Sequence, residues 1–300
     1  MTLLETIVDV PTRVAEYLAG ERAAVDRLDR LREDGIAVHA LLGFLVLLLL
    51  FPVLVAAVVS TKQSGIITGL ADLVPGGNTY GNYYRALVEL EFYRYMLNTL
   101  VMASVIVVGK LVVSLLAVLA IVYYRVPYKD LVFLFILFTL LLPVPVRFVP
   151  LYRLVDGLGW QNTLLAITVP YLASATTVFI LRQHFLSIPP SLVENAKLDG
   201  VGPLEFLWRV LIPMSRGILV GVSVIIFVYA WNQYLWPLVI VGDDLQVAQV
   251  GLGQLRGQAQ AGEVAWALTM TGSVLTLLPP LALLVLFRKP LLQTFSIQRK

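Results

Sequence analysis

Apolar residues along the chain gather into long stretches, and each stretch is bounded by charged residues, glycine or proline. The stretches cover residues 36–59, 97–123, 131–149, 164–181, 218–241 and 264–287. Each has roughly the 20 residues that an α-helix needs to cross a hydrocarbon core about 30 Å thick. The pattern therefore predicts an all-α, polytopic membrane protein with six transmembrane helices.

The composition agrees with this fold class. Of the 300 residues, 59% are hydrophobic and 14% are charged, whereas soluble domains carry about 25% charged residues. The chain has no cysteine, which excludes disulfides and cysteine-ligated metals, and it has 2 histidines. We therefore expect neither a metal site nor a cofactor.

The distribution of Lys and Arg predicts the orientation, because cytoplasmic loops of membrane proteins carry an excess of these residues. With the N-terminus inside, most of them fall on the cytoplasmic side. The exceptions, which fall outside or at the outer interface, are Lys62, Arg85, Arg94, Arg147, Arg153 and Arg256. The predicted topology places both termini in the cytoplasm.

The segment before the first span repeats apolar residues at helical spacing beside a mixed-charge face. These residues are Leu3, Ile7, Val10, Val14, Tyr17 and Leu18. The segment fits an amphipathic helix on the inner membrane surface, or else a solvated tail. It has no apolar core followed by a small-residue cleavage site, so we expect no secretory signal. The predicted organisation is a cytoplasmic N-terminal segment (1–35), a six-helix membrane domain (36–287) and a cytoplasmic tail (288–300).

Two external segments have the composition of turns and loops. Pro75-Gly76-Gly77-Asn78 predicts a turn between the first two spans. Residues 242–263, which lie between the last two spans, are rich in glycine and glutamine. Such a composition predicts a flexible loop.

The longest internal loop, residues 182–216, carries the signals of two short helices with a bend between them. In chain order these are Pro189-Pro190 as a stop, Ser191-Leu192-Val193-Glu194 as a capping box, Asp199-Gly200 as a turn, Pro203 as a first helical position and Pro213 as a second stop. In a capping box the serine and glutamate side chains bond to backbone N–H groups that have no partner at a helix start. Glycine is common just after a helix because it adopts φ > 0 easily, and proline is common at the first helical position because its fixed φ suits a helix.

This bent unit has an apolar side. Its members are Leu192, Val193, Ala196, Leu198, Leu204, Phe206, Leu207 and Val210. Apolar surface left in water forfeits the stabilisation that burial would give. Either this side packs under the membrane helices of its own chain, or it docks into a cytoplasmic partner, and the residues alone leave both alternatives open.

Within the loop, Glu194-Asn195-Ala196-Lys197-Leu198-Asp199-Gly200, followed by Phe206 and Ile212-Pro213, resembles the E-A-A-x-x-x-G loop of binding-protein-dependent ABC importer permeases. Asn195 stands where these permeases usually have the first alanine. The resemblance implies that the loop forms the coupling helix, which sits in a cleft of a nucleotide-binding subunit. The residues to which it assigns ATPase coupling are Glu194, Ala196, Asp199, Gly200 and Pro213.

The resemblance covers nearly the whole chain from Ile36 and is closest to the sn-glycerol-3-phosphate permeases of the maltose-type carbohydrate-uptake group. It is carried by Gly109-Lys110-Leu111, by residues 142–147, by residues 173–176 with Phe179, Arg182 and Gln183, and by residues 231–238. It implies a type I ABC importer permease in the cytoplasmic membrane of a bacterium or archaeon. Pro145 replaces a glutamate that is usual in the glycerol-phosphate permeases, so the identity of the substrate is less secure than that of the family.

The same resemblance implies a set of partners. These are a dimer of ATP-binding subunits, a second homologous permease subunit, an extracytoplasmic solute-binding protein and membrane lipid, with no nucleic acid. In maltose-type permeases, the loop that corresponds to residues 242–263 enters the ligand cleft of the binding protein.

Two cations at membrane depth are candidates for contact with substrate. Lys110 lies near the middle of the second span and Arg147 at the outer end of the third, without an intramembrane acid beside them. Polar groups at this depth usually face a cavity or a partner, and two cations suit an anionic phosphate. Alternatively, Lys110 snorkels or bonds to backbone carbonyls, and Arg147 reaches the outer headgroups.

The fifth span is interrupted by groups that hydrogen-bond and stack, namely Trp231, Asn232, Gln233 and Trp236. They predict the wall of a substrate path, with an interfacial aromatic belt as the alternative. The predicted substrate is sn-glycerol-3-phosphate or a glycerophosphodiester, and a neutral sugar or oligosaccharide is the alternative.

Missing motifs narrow the function further. The chain lacks G-x-x-x-x-G-K-[ST], so it cannot bind ATP in the P-loop manner, and the energy must come from another polypeptide. It also lacks the G-x-S-x-G and H-E-x-x-H motifs that an intramembrane hydrolase would show. A channel would explain six spans but not the bent internal loop.

Overall fold

A computed structural model of the chain describes residues 35–63, 69, 73–124, 126–141, 144–257 and 265–291. The described residues form helices joined by short connections, without a β-strand. The predicted all-α fold class is confirmed for this part of the chain. The predicted amphipathic segment before residue 35 and the tail after residue 291 lie outside it.

The helices are numbered here in chain order. They are α1 (Gly35–Val59), α2 (Thr79–Tyr84), α3 (Phe92–Tyr123), α4 (Lys129–Phe138), α5 (Val144–Gly157), α6 (Leu164–Thr168), α7 (Ala175–Leu186), α8 (Pro190–Leu198), α9 (Pro203–Phe206), α10 (Ile212–Met214), α11 (Arg216–Trp231), α12 (Leu235–Ile240), α13 (Ala248–Arg256) and α14 (Trp266–Leu286). Single 3-10 or π turns directly follow some of them, at Arg85–Glu89, Thr139–Leu141, Val169–Tyr171 and Leu207–Leu211, and a separate 3-10 turn lies at Asp243–Leu245.

Three of these helices are long and apolar enough to cross a membrane by themselves, namely α1 from Ala37 onwards, α3 and α14. Three further candidates are bent pairs: α4 with α5 at 102°, α6 with α7 at 45°, and the run Pro203–Met214 with α11 at 86°. The described residues thus contain up to six candidate spans.

The spans predicted at 131–149 and 164–181 are therefore broken instead of straight. In the second of these, Pro170 lies in a 3-10 turn, and α7 starts anew after Ser174, whose Oγ accepts the Thr177 N–H at 3.3 Å. Proline has no N–H for the helical ladder, and a serine cap supplies a fresh helix start. The span predicted at 218–241 ends at Trp231 and resumes at Leu235.

The chain divides into two compact units at Ala56. The first contains most of α1, and the second contains the remaining described helices. The central core of the second unit is formed mainly by α3, α6, α11 and α12. Its buried members include Met102, Ile106, Ile167, Val222, Ile226 and Trp231.

Helix α13 corrects the expectation of a flexible loop at 242–263. Glycines on this helix and on α14 allow close packing: a Cβ on Gly251 would lie 2.7 Å from Tyr95 Cδ2, and one on Gly272 would lie 2.4 Å from Leu255 Cδ1. The start of α13 is also fixed, since its Ala248 N–H donates to Thr99 Oγ1 at 2.8 Å. These glycines serve packing, and the remaining part of the predicted loop, 258–263, lies outside the described residues.

Candidate functional site

The first helix of the internal loop starts differently from the prediction. Helix α8 begins at Pro190, one residue before Ser191, and the Leu192 N–H donates to the Pro189 carbonyl at 3.1 Å. Ser191 therefore lies inside the first turn, and the predicted capping box is wrong. Proline is favoured at this first position because the N–H it lacks would have no helical partner. Glu194 is exposed, and no ion pair to it is formed within the described part of the chain.

The predicted turn at the end of α8 is confirmed. Gly200 has φ +70°, and the Val201 N–H donates to the Ala196 carbonyl at 2.9 Å. This hydrogen bond across six residues, with a left-handed glycine, is typical of a Schellman helix end. Asp199 precedes the glycine and is exposed.

The second half of the loop is a helical run from Pro203 to Met214, with a π turn at Leu207–Leu211. Pro203 occupies the first turn of α9, as predicted. Pro213 does not end the run as predicted, because it lies within α10, and the run continues to Met214. At Ser215 the chain bends by 86° into α11. His184 of α7 meets this bend, with Nε2 3.0 Å from Ser215 Oγ.

The apolar side of the loop separates into two faces. One face packs against the ends of α3 and α7, and its members are Val193, Ala196, Phe206, Leu207 and Val210. The other is uncovered by the described residues: Leu198 is 85% exposed, Leu204 65% and Trp208 72%. Sequence analysis did not include Trp208 in this side. Packing under the chain's own helices thus accounts for the first face only.

Tyr123 and Arg182 attach the loop and its neighbours to the membrane helices. The Tyr123 hydroxyl donates to the Phe185 carbonyl at 3.0 Å, and its ring meets the Phe206 ring edge-on with centroids 5.5 Å apart. Arg182 lies 3.6 Å from the Asp130 carboxylate, with its guanidinium 4.1 Å from the centre of the Phe133 ring. Displacement of the loop would therefore act directly on α3 and α7.

In the membrane region, Lys110 is the central polar residue. It lies within α3, is only 6% exposed, and its Nζ is 4.7 Å from the centre of the Tyr229 ring. No carboxylate forms an ion pair with it among the residues that the structure describes. Within the described part of the chain, the ammonium is therefore held by an aromatic face and not by a counter-ion.

Two tyrosines that sequence analysis missed connect Lys110 to Gln233. Tyr171 meets the Tyr229 ring edge-on with centroids 6.2 Å apart, and its hydroxyl donates to Gln233 Oε1 at 2.8 Å. Gln233 Nε2 donates to the Tyr229 carbonyl at 3.1 Å. Lys110, Tyr171, Tyr229 and Gln233 are called the polar cluster below. Isolated tyrosines inside apolar stretches were the available signal, because a buried hydroxyl usually needs a partner.

Asn232 and Arg147 were also predicted for the substrate path, and neither belongs to the polar cluster. Asn232 is exposed, its Nδ2 donates to the Val228 carbonyl at 2.8 Å, and its Oδ1 accepts from Gln249 Nε2 at 3.1 Å. It thereby links the end of α11 to α13. Arg147 is exposed on α5, and the described residues show no hydrogen bond that joins it to the cluster.

The two tryptophans predicted for the path belong to the core instead. Trp231 is 1% exposed, and its Nε1 donates to the Thr276 carbonyl at 2.9 Å. Trp236 is similarly buried, and its Nε1 donates to the Ala166 carbonyl at 2.8 Å. With ring and N–H both occupied inside the protein, neither side chain is free to contact a solute. No group of three or more His, Asp or Glu side chains suited to a metal ion occurs in the described ranges.

Comparison with known proteins finds similarity to inner-membrane components of transport systems. Residues 110–290 match the family model described as binding-protein-dependent transport system inner membrane component. The sn-glycerol-3-phosphate transport system permease protein UgpE of Rhizobium meliloti is 37% identical over 260 residues, which is 84% of this chain and 92% of that protein. The protein of the same name from Yersinia pestis bv. Antiqua is 37% identical over 259 residues, with the same coverage of both chains.

Among solved structures, a chain of a bacterial ABC transporter involved in the import of the acidic polysaccharide alginate has a similar fold. The TM-score is 0.74 at 22% sequence identity, over 88% of this chain and 97% of that one. At this identity the similarity concerns the fold.

Proposed function

This chain belongs to the family of binding-protein-dependent transport system inner membrane components and is the permease subunit of an ABC importer, and we propose that the importer takes up sn-glycerol-3-phosphate or a glycerophosphodiester. It is not an enzyme, because ATP hydrolysis resides in a partner subunit. The observation that carries the substrate proposal is the buried ammonium of Lys110, which contacts no carboxylate among the described residues. The similar permeases from Rhizobium and Yersinia are named for the transport of sn-glycerol-3-phosphate.

A neutral sugar or oligosaccharide is the second candidate. Gln233, which bonds to Tyr171 and to the Tyr229 carbonyl, is an uncharged hydrogen-bonding group, as is Asn232 before it in the chain, and such groups suit sugar hydroxyls. A neutral solute, however, would leave the Lys110 ammonium without a counter-charge. Since uncompensated charge at membrane depth is costly, the anionic solute is the better proposal.

The complete importer in this proposal contains the chain, a second homologous permease subunit, a dimer of ATP-binding subunits and an extracytoplasmic solute-binding protein. The uncovered face of the internal loop supports docking to the ATP-binding subunit, with Leu198 at the end of α8 and Gly200 in the turn beside it. Glu194, Ala196, Asp199 and Pro213 are the further coupling residues that we propose. The loop's attachment to α3 and α7 through Tyr123 would pass its movement on to the membrane helices.

The proposed topology has six spans with both termini in the cytoplasm. It predicts that a cysteine at Gly77 is labelled by an impermeant thiol reagent from outside intact cells, and that one at Asn195 is labelled only after permeabilisation. Both positions are exposed, and a Cβ at Gly77 meets no atom within 4 Å. The chain has no native cysteine to give background. Labelling of Asn195→Cys from outside would contradict both the orientation and the coupling role of the loop.

The substrate proposal predicts the ligand of the cognate solute-binding protein. A ligand that binds only the folded state raises the unfolding temperature, so sn-glycerol-3-phosphate should raise the Tm of the binding protein and maltose should not. Proteoliposomes with the complete importer should then accumulate radiolabelled sn-glycerol-3-phosphate in the presence of ATP. Stabilisation by maltose alone, with maltose uptake, would establish the neutral-sugar alternative.

A further inference from the structure

The Lys110 ammonium of the polar cluster is buried, and its contact with the Tyr229 ring is too weak to offset the cost of burying a charge. Lys110 lies within a long apolar helix, and the described residues offer its ammonium one contact, the ring of Tyr229 at 4.7 Å. A cation–π contact is favourable, but it offsets only part of the desolvation cost of a buried ammonium. The ammonium therefore has capacity left for an anion.

The other side chains of the polar cluster bond to one another and to the backbone, and these bonds leave the ammonium able to bind an anion. Tyr171 meets the ring of Tyr229 edge-on, and the Tyr171 hydroxyl uses its proton on Gln233 Oε1 at 2.8 Å. Gln233 donates one amide hydrogen to the Tyr229 carbonyl, and the structure gives the second amide hydrogen no acceptor among the described residues. An amide group has two donors, so Gln233 retains one for a ligand.

Tyr229 is 47% exposed, in contrast to Lys110, which is 6% exposed. A side chain exposed to this extent has room to change rotamer. Lys110, by contrast, lies within α3, and Gln233, in the break between α11 and α12, is held by its hydrogen bonds to Tyr171 and to the Tyr229 carbonyl. A phosphate or carboxylate binds an ammonium more strongly than a ring face does, because a charge-assisted hydrogen bond adds to the attraction. An arriving anion can therefore take the position that the ring occupies.

We infer that Lys110, Tyr171, Tyr229 and Gln233 form a binding site on this subunit for the anionic group and adjoining hydroxyls of the transported solute, an inference that rests on the proposed function. Lys110 binds the anion, and the free amide hydrogen of Gln233 donates to an oxygen of the solute. Tyr171 positions Gln233 through its hydroxyl. Tyr229 is the specificity-determining residue, because its ring covers the ammonium until an anion replaces it.

The test uses the complete importer in proteoliposomes, with its solute-binding protein and radiolabelled sn-glycerol-3-phosphate as the probe. Uptake and ATP hydrolysis are measured in the same vesicles, and their ratio is the readout. Lys110→Met should lower the solute taken up per ATP by at least about tenfold, the usual effect of losing a charge-assisted contact. Stimulation of ATP hydrolysis by loaded binding protein should remain, since the coupling loop is intact.

Matched variants separate the roles within the cluster. Lys110→Arg keeps the charge and should keep most of the uptake. Tyr229→Leu removes the ring that covers the ammonium, so inorganic phosphate should compete with uptake at a severalfold lower concentration than in the wild type. Tyr171→Phe removes the hydroxyl that positions Gln233 and should lower uptake per ATP severalfold. If competition by inorganic phosphate were unchanged in Tyr229→Leu, the assignment of the ring as a cover would be overturned.

Two further outcomes would overturn the binding site without overturning the proposed function. If the wild type takes up sn-glycerol-3-phosphate and Lys110→Met has an unchanged ratio, the binding site is wrong and the substrate proposal stands. If Lys110→Met instead loses the second permease subunit on purification, Lys110 pairs with an acid of that subunit, which also overturns the site. A wild type that transports maltose and not sn-glycerol-3-phosphate would overturn both.

Discussion

Replacing Gly200 by valine should abolish uptake and release the ATP-binding subunit, while the membrane helices still insert and pack. Gly200 has φ +70°, and it closes the end of α8 together with the hydrogen bond from Val201 to Ala196. An L-residue in this left-handed conformation costs about 1–2 kcal/mol, and a β-branched residue costs more. The loop would relieve this strain by taking another path, in which α8 and α9 no longer keep their relative orientation.

The expected magnitude follows from this strain. The loop can dock only with its native turn. The strain therefore makes the free energy of binding to the ATP-binding subunit less favourable by the same amount. Since 1.4 kcal/mol corresponds to a factor of ten, we expect binding at least about tenfold weaker for Gly200→Val. Gly200→Asn should have a smaller effect, because asparagine tolerates the left-handed region better than valine does.

Gly202 provides a matched control two residues along the same loop. It has φ −70° and ψ 163°, and a Cβ there would meet no atom within 4 Å. It is also the residue before the first turn of α9, where threonine is tolerated about as well as glycine. Gly202→Thr has nearly the shape of the valine variant and should leave uptake close to wild type.

The measurement is retention of the ATP-binding subunit on purification, together with stimulation of ATP hydrolysis by loaded binding protein in one reconstituted preparation. Circular dichroism of the purified chain checks that the helices remain. Wild-type retention and stimulation in Gly200→Val would show that this loop is not the coupling element.

The parts of the loop that were predictable from sequence depend on local backbone chemistry. The left-handed turn at Gly200 and the helix start at Pro203 follow from what glycine and proline can adopt, without reference to the rest of the fold. The capping box failed for a local reason too, because Pro190 competes with Ser191 for the helix start and has the stronger preference for the first helical position.

The membrane residues could not be assigned in the same way, because their roles depend on distant partners. The indole N–H of Trp231 donates to the Thr276 carbonyl of another helix, so the Trp231 side chain lies in the core. Gln233, two residues later, belongs to the polar cluster. The hydroxyl of Tyr171 finds its acceptor 62 positions away. From sequence alone, such tyrosines and tryptophans look alike inside an apolar stretch.

Glycine content misled the prediction for α13 for a related reason. A glycine-rich composition indicates flexibility when the backbone is free, but the same residues permit helices to approach closely when a partner is present. Gly251 faces Tyr95 of α3, more than 150 positions earlier in the chain. Composition carries no information about that partner.

The two faces of the internal loop should respond differently to mutation. Leu198 is 85% exposed at the end of α8, so Leu198→Ser removes little packing from the isolated chain. Phe206 is only 5% exposed and packs edge-on against Tyr123, so Phe206→Ala leaves a cavity beneath the loop. Loss of a buried phenylalanine typically costs about 3–5 kcal/mol of folding free energy.

We therefore expect Leu198→Ser to keep the thermal stability of the purified chain and to lose the ATP-binding subunit. Burying a leucine side chain contributes about 1.5–3 kcal/mol, which corresponds to a loss of affinity of about 10- to 150-fold. Leu198→Met keeps an apolar side chain of similar volume and should retain the subunit.

Phe206→Ala should instead lower the thermal stability first and weaken subunit binding as a consequence, because the loop loses its attachment to α3. Both effects are measured on the same detergent-solubilised samples, by thermal unfolding of the chain and by titration with the ATP-binding subunit. The comparison with Leu198→Ser then separates the face that holds the loop in place from the face that binds the partner. If Leu198→Ser bound the ATP-binding subunit as tightly as the wild type, the uncovered leucine would not be part of the docking surface. The proposed contact would then have to be made by the Leu204 and Trp208 side of the second helix, which is also exposed.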